Sequence, residues 1–413
     1  MFFGISSFQI LAMFRRGLFY TFLSIYLNIF LNLSLTETSL YATLPMIVSV
    51  IFQNFVWGPI SDKFQKRKTL IILGEILAGI GTTTVWFIHF IISNYYIAAY
   101  VIIIGLTIIE AFWSMSNIGW SALISDIYTS IDRNKVMGRL SSIGGIGRLI
   151  GISIGGLLYN GGYGFRNGPL FFVASTVMFI STIPMLFTPE GGIELRIEHQ
   201  NDIMVSPQPK NNYKHTFIIF IIALLFINFG RNSISVPYSP YLKLSDGFNV
   251  DDLLLSNIAN MRSVATISFG FITGTFSKKF GDSRTLILGI FFAIAALILT
   301  ALSNTLFLIF VGGFLLGTSE VLIVAAAYSI ASTLIPARSR GKLFGVYNTT
   351  FFLSWGIAST IITSPIIDLL LLGGFDDVFS YQVSFIVAAL ISSLGLIIFI
   401  FLEISLHRKK KED

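Results

Sequence analysis

Runs of apolar residues long enough to cross a membrane recur along the whole chain, separated by short polar or glycine-containing turns. A helix needs roughly 20 apolar residues to cross the hydrocarbon core of a bilayer. The chain is 54% hydrophobic and only 12% charged, whereas a soluble domain carries about 25% charged residues. The runs are too long and too uniformly apolar for barrel strands, which alternate residue by residue. We therefore predict an all-α integral membrane protein.

Twelve membrane-spanning helices are predicted, in two sets of six. The first set covers residues 3–31, 40–60, 69–91, 95–123, 136–159 and 169–187, and the second covers 216–242, 253–276, 285–302, 306–334, 343–370 and 381–403. The stretch between the sets is polar and contains prolines and glycines, which is typical of a flexible linker. The predicted domains are thus a six-helix bundle (1–187), a linker (188–215), a second bundle (216–404) and a basic tail (405–413).

The distribution of basic residues predicts the topology. Most of the 27 Lys and Arg residues fall on one side of the predicted helices, whereas only Arg166 and Lys243 fall in loops on the other side. Basic loops stay in the cytoplasm, so we expect both termini and the linker there, in a multi-pass protein of the cell membrane. The formal charge of +6 is explained by this topology, and no nucleic-acid partner is expected.

The two halves share a sequence repeat. Residues 64–70 (FQKRKTL) align with residues 280–286 (FGDSRTL), and the same alignment pairs Arg15 with Arg231. Glu110 and Glu320 also correspond. A duplicated six-helix unit suits alternating access, in which a site between two bundles faces either side in turn. Duplication in a channel or a membrane scaffold is the alternative.

Two motifs resemble the major facilitator superfamily. Residues 58–68 (GPISDKFQKRK) resemble its G-x-L-A-D-R-x-G-R-K signature, with Gln65 where glycine is usual. The resemblance implies the fold of this superfamily, and it predicts a gating latch. The latch residues are Gly58, Asp62, Lys63 and Arg67. The alternative is that the basic run only fixes topology.

The second motif lies in the fifth predicted helix. Its glycines match the G-x8-G-x3-G-P-x2-G-G pattern of the superfamily's antiporters, with Ile152 in place of the proline. Small residues at this spacing let two helices approach closely, and we expect the partner helix near residues 345–360. The packing glycines are Gly147, Gly151, Gly155 and Gly156. An arginine that drug antiporters often carry in the fourth helix is absent, since Met115 stands there.

Ionisable residues at membrane depth usually face a cavity or a partner. We hypothesise that Glu110 and Glu320 exchange protons, and that the arginines neutralise them or bind an anionic substrate; permanent structural pairs, Arg15 with Glu110 and Arg231 with Glu320, are the alternative. By the resemblance, the helices that carry these residues line the central cavity. Candidate residues for substrate binding or charge pairing are Arg15, Arg16, Arg231, Trp113, Asn117, Tyr20 and Tyr26.

Four further ionisable residues lie in the predicted helices. We expect Glu75 to play a structural part by reaching the basic turn, and His89 to lie at the surface. Arg148 and Arg262 are additional candidates without an evident partner in the sequence.

The predicted function is secondary active transport of a small solute by alternating access. Proton coupling is favoured, with export as a drug or metabolite:proton antiporter ahead of proton-coupled uptake or exchange of organic anions, sugars or peptides. A passive channel and a solute sensor remain alternatives. No enzyme motif or nucleotide site is present, so we expect no enzymatic activity, no catalytic residue and no cofactor. The chain has no cysteine, which excludes thiolate metal sites, and we predict no metal site. The expected partners are substrate, protons and the bilayer, with the chain as a monomer.

Overall fold

The computed structural model describes residues 2–128, 130–192, 213–335 and 340–412, and it is helical, with no strand in these ranges. The first helices are α1 (Phe2–Ile25), α2 (Leu35–Phe52), α3 (Gly58–Phe64), α4 (Arg67–Ile91), α5 (Tyr95–Ile127), α6 (Ser130–Tyr159), α7 (Tyr163–Arg166) and α8 (Pro169–Leu186). The remaining helices are α9 (Tyr213–Ser233), α10 (Tyr238–Lys243), α11 (Asp252–Gly270), α12 (Thr273–Phe280), α13 (Asp282–Leu302), α14 (Leu306–Leu334), α15 (Arg340–Ala358), α16 (Ser364–Leu372) and α17 (Asp377–Glu412). The predicted all-α membrane fold is confirmed. Residues 193–212 of the predicted linker and Asp413 of the tail lie outside the described ranges.

Eleven spans among the described residues are long and apolar enough to cross a membrane. They correspond to every predicted span except the eighth. That segment is divided between α11 and α12, and α11 carries Asn257, Asn260 and Arg262 in its middle. These polar side chains keep the hydropathy of this segment below that of the eleven spans.

Several helices are interrupted. π-Helical turns follow α1 at Tyr26–Phe30, α2 at Gln53–Trp57 and α15 at Ser359–Thr363. The predicted span 216–242 is broken between α9 and α10, where Pro237 supplies no backbone N–H. The start of α2 lies earlier than predicted because Ser34 and Glu37 form a reciprocal capping box.

The chain packs as two compact units. One consists of Met1–Ile203 with Val250–Ser263, and the other of Met204–Asn249 with Val264–Asp413. In the first unit α1 packs mainly on α6, and α4 on α5; in the second, α13 packs on α14 and α9 on α17. The predicted domain boundaries remain a prediction.

Glycines set the distance between α1 and α6. A Cβ added at Gly147 or Gly151 would lie 2.2 or 2.0 Å from the carbonyl oxygen of Ile10 or Phe14, respectively. Gly155 lies against Leu18 and Phe22 of the same helix. The expected partner near residues 345–360 was therefore wrong for these three glycines, because their contacts are with α1.

The fourth glycine of the motif faces α11. A Cβ at Gly156 would overlap Ser256, and nearby Asn260 donates to Ser153 over 2.9 Å. Asp252 also accepts a hydrogen bond from the backbone N–H of Gly161 at 2.9 Å. These contacts place the first part of α11 with the first unit.

Candidate functional site

A buried ion pair joins α1 to α4. Arg15 Nη1 lies 2.7 Å from Glu75 Oε2, and the two side chains are only 3% and 1% exposed. The other carboxylate oxygen of Glu75 accepts hydrogen bonds from Trp113 Nε1 and Ser116 Oγ of α5, each at 2.8 Å. The Glu75 carboxylate therefore connects α1, α4 and α5. A buried charge needs an ion pair and hydrogen bonds of this kind to offset its desolvation.

Two predictions about these residues were wrong. Glu75 does not serve the basic turn, and the partner of Arg15 is Glu75 and not Glu110. The internal repeat matched Arg15 with Arg231 and Glu110 with Glu320, and it carries no information on contacts between α1 and α4. The sequence did contain one sign of this ion pair, because Glu75 is an acid within the apolar helix α4.

Close packing of α4 on α5 positions Glu75. A Cβ at Gly74 would lie 2.7 Å from the backbone nitrogen of Ser116. Only glycine allows this approach, and it brings Glu75 within reach of Ser116 and Trp113.

Both arginines of α1 lie over one indole ring. The guanidinium carbon of Arg15 is 3.9 Å from the centroid of the Trp113 ring, and that of Arg16 is 5.2 Å from it. Arg15 is buried and Arg16 is exposed. The negative ring face and the Glu75 carboxylate offset the repulsion between neighbouring cations.

A small cavity opens beside this cluster. Arg15, Tyr20, Glu110 and Trp113 line it together with apolar side chains of α1, α5 and α8. Glu110 is 8% exposed and makes no ion pair with any residue that the structure describes. Its Oε1 lies 3.5 Å from Asn117 Nδ2, and the Ser49 hydroxyl is a further hydrogen-bond partner.

Tyr26, a candidate residue for substrate binding or charge pairing, belongs to a different cluster. Its hydroxyl lies 2.6 Å from His89 Nε2, and its ring stacks on Phe165. His89 is fully buried, so the expectation that it lies at the surface was wrong. Arg166 donates to the carbonyl oxygens of His89 and Ile92 at 2.8 and 3.0 Å and thereby holds the end of α4.

In the second unit, Arg231 is buried on α9 and donates from Nε to Asn228 Oδ1 over 3.1 Å. Glu320 is half-buried on α14 of the same unit. Arg148 and Arg262, which belong to the first unit, are half-buried as well. The role assigned to the pair of Arg231 and Glu320 remains a prediction.

The basic turn between α3 and α4 is organised around Arg67. Its side chain contacts Asp62 at 3.3 Å and Asp126 at 3.2 Å, and it donates to Ser61 at 2.5 Å. Lys63 lies 5.7 Å from the ring centroid of Phe64. A Cβ added at Gly58 would lie 2.6 Å from the carbonyl oxygen of Gln53, in the preceding π-helical turn.

Two features of the basic turn were not predicted. Gln65 has φ +56, a left-handed conformation that explains why glycine is usual at this position of the signature. Glu190 accepts hydrogen bonds at the start of α4, from the backbone nitrogens of Arg67 and Lys68 with its carbonyl and from that of Thr69 with its carboxylate. Asp126 joins the same cluster, since it also accepts from the backbone N–H of Gly192 at 3.0 Å.

Known families, sequences and structures include proteins similar to this chain. The model of the Major Facilitator Superfamily matches residues 5–359 and 220–413. Among curated relatives, Multidrug resistance protein 2 of Bacillus subtilis (strain 168) is 25% identical over 67% of each chain. Multidrug resistance protein MdtG of Rahnella sp. (strain Y9602) is 24% identical over 76% of this chain and 73% of its own.

Solved structures share the fold at lower sequence identity. The nucleoside transporter NupG superposes with a TM-score of 0.69 at 14% identity, over 97% of this chain and 98% of its own. A transporter of the POT family gives 0.71 at 13% identity, over 97% and 96%. At these identities the likeness shows the fold alone.

Proposed function

The chain belongs to the Major Facilitator Superfamily of membrane transporters, and on that premise we propose that it is a proton-coupled secondary transporter that exports a small solute by alternating access. The observation that carries the proton coupling is Glu110, a buried carboxyl in a cavity and without an ion pair among the described residues. Export is favoured by the curated relatives, which are named as multidrug resistance proteins.

Glu110 is a better proton site than Glu75, the buried acid that is paired with Arg15. Protonation of Glu75 would break its ion pair with Arg15 and leave a buried cation without a partner, which is strongly unfavourable. Protonation of Glu110 breaks no ion pair within the described residues. Arg15 and Glu75 thus serve as the fixed wall of the site, and Glu110 serves as the group that changes charge. Glu320 is proposed as its counterpart in the second half.

Glu110→Gln tests this assignment. In proteoliposomes loaded with ethidium, an amphipathic cation, we expect an imposed proton gradient to drive ethidium movement by the unmodified protein and not by Glu110→Gln. Counterflow exchange of labelled ethidium, which needs no gradient, should persist in the variant. Glu37→Gln is the matched control, because Glu37 lies at the helix cap of α2, outside the cavity.

Retention of full gradient-driven transport with an unchanged pH profile in both Glu110→Gln and Glu320→Gln would refute the coupling role. The absence of counterflow in the unmodified protein, together with downhill flux, would point to a channel instead.

Uptake of an organic anion is the second candidate, because Arg15 and Arg16 both place guanidinium groups over Trp113. Transport in inside-out and right-side-out vesicles separates the two directions. Accumulation driven by a proton gradient in inside-out vesicles supports export.

A further inference from the structure

One edge of the Arg15 guanidinium has no hydrogen-bond acceptor among the described residues. Nη1 contacts Glu75, whereas Nε and Nη2 are buried and make no hydrogen bond there. These two nitrogens form the side-on edge of the guanidinium, with parallel N–H groups at the spacing of the two oxygens of a carboxylate. A buried donor left without an acceptor costs about 1–3 kcal/mol, so such an edge in a cavity wall points to a ligand that supplies the acceptors.

Glu110 presents the opposite charge to the same cavity. It lines the cavity with Arg15, yet the two side chains form no ion pair with each other. Contact between them would be favourable in apolar surroundings. Glu75 occupies only Nη1 of Arg15, so the Nε–Nη2 edge of Arg15 and the carboxylate of Glu110 stay available on separate parts of the wall. This is an arrangement for a ligand that carries both charges.

The rest of the wall is mainly apolar and aromatic, apart from Thr82, whose hydroxyl donates to the carbonyl oxygen of Ala78. Phe19, Leu106, Ile109 and Met178 line the cavity, and Tyr20 and Trp113 contribute rings. A ligand that fits all three kinds of wall has an apolar or aromatic body, an acid group and an amine.

We propose that this cavity binds a small amphoteric solute, with its carboxylate on the Nε–Nη2 edge of Arg15 and its ammonium group at Glu110. This inference rests on the proposed transport function and names the substrate class of that same site. The ammonium group takes the place of the proton on the Glu110 carboxyl, so each binding event releases one proton from Glu110. Substrate and proton then compete for one carboxylate, as antiport requires.

Three indole compounds test the two charges separately: tryptophan carries both groups, tryptamine only the amine and indole-3-propionate only the acid. The phenyl series of phenylalanine, phenethylamine and 3-phenylpropionate repeats the design with a smaller body. Binding to the purified full chain in detergent is measured calorimetrically, which also reports proton release through the buffer dependence of the heat. We expect the zwitterion of at least one series to bind at least tenfold more tightly than its two relatives, with release of about one proton.

Arg15→Lys is the decisive variant. Lysine keeps a cation for Glu75 but lacks the planar edge. We expect it to weaken zwitterion binding about tenfold, to the level of the amine, and to leave binding of the amine unchanged. Arg166→Lys is the control, since Arg166 holds backbone carbonyls of α4 away from the cavity. If Arg15→Lys does not fold, Glu110→Gln tests the opposite wall: it should weaken zwitterion binding, abolish proton release and spare the acid.

Equal binding of the zwitterion and its singly charged relatives in both series would overturn the proposal, and so would zwitterion binding unaffected by Arg15→Lys. Failure of every zwitterion to bind would overturn it too. If Glu110→Gln still uncouples ethidium transport in any of these cases, the proposed function stands and only the substrate class is wrong. If coupling survives in Glu110→Gln while the zwitterion still binds at Arg15, the proton site is wrong and the acid subsite stands.

Discussion

Glu75 gathers three helices on one carboxylate, and this makes it the most consequential single residue of the first unit. Its two oxygens accept from an arginine, an indole and a hydroxyl, so protein groups compensate the charge. A buried ion pair adds little to the free energy of unfolding, because the cost of desolvating both charges offsets much of their attraction. Removal of one member destabilises the fold, because the other member remains charged and buried.

We therefore expect Glu75→Leu to lower the free energy of unfolding by about 3–5 kcal/mol, the usual cost of breaking a buried pair. The double variant Arg15→Leu with Glu75→Leu should recover much of this loss, because no charge is left in the apolar interior. Thermal unfolding in detergent measures both. A double variant less stable than either single variant would show that the pair itself is a net source of stability.

The sequence contained enough information to select Arg15, Arg16, Glu110 and Trp113, because ionisable and polar side chains are rare in apolar helices and fall on one face here. It could not pair them. Whether Arg15 meets Glu75 or Glu110 depends on how closely α4 approaches α5, and this depends on the absence of a side chain at Gly74. His89 was misjudged because one histidine in an apolar run gives no sign of the tyrosine that it contacts.

At the scale of the element, the spacing between α1 and α6 is set by backbone contacts. Phe14 and Ile10 place carbonyl oxygens where a Cβ of α6 would otherwise lie. The glycine spacing in the sequence predicted a close helix contact but not its partner, since small residues mark an interface on one helix only. The helix boundaries were largely predictable from hydropathy. Two places departed from the hydropathy pattern: α11, which carries polar residues, and the interruption at Pro237 between α9 and α10.

Gly151→Ala should destabilise the first unit strongly, because its Cβ would lie 2.0 Å from the Phe14 carbonyl oxygen and the two helices would have to separate. Gly345→Ala is the matched control within a helix: nothing lies within 4 Å of its Cβ. There alanine should raise stability by about 0.5–1 kcal/mol through its higher helix propensity. Melting temperatures of the two variants should move in opposite directions, and equal shifts would contradict the packing account.

At the scale of the whole molecule, charged side chains brace the turn between α3 and α4 of the first unit. Arg67 joins α3, α4 and α5 through two aspartates. In the second unit, the turn that aligns with this one is held by an acid and not by an arginine. Asp282 accepts hydrogen bonds there from Ser277 and, at 2.5 Å, from Ser329. The halves therefore repeat a fold without repeating the charges that brace it.

The absence of cysteine from the sequence allows a direct test of topology. Four single-cysteine variants place a thiol at exposed turns: Lys66→Cys and Lys279→Cys on the predicted cytoplasmic side, Ser93→Cys and Asn304→Cys on the other. A membrane-impermeant maleimide added to intact cells should label only the last two, and all four after permeabilisation. Labelling of Lys66→Cys in intact cells would reverse the orientation inferred from the basic loops.

The π-helical turns have a consequence for any attempt to move residues between related chains. Each such turn contains one more residue than the α-helix around it would need, so it amounts to an insertion absorbed without a loop. Loss of a single residue within Gln53–Trp57 should therefore give a regular helix in which the residues beyond the turn keep their faces. Loss of one residue from the regular part of α2, Leu35–Phe52, would instead rotate everything beyond it by about 100°. Asp62 would then point away from Arg67 although every side chain of the basic turn was still present. The register of the backbone is therefore as much a part of this turn as its amino acids.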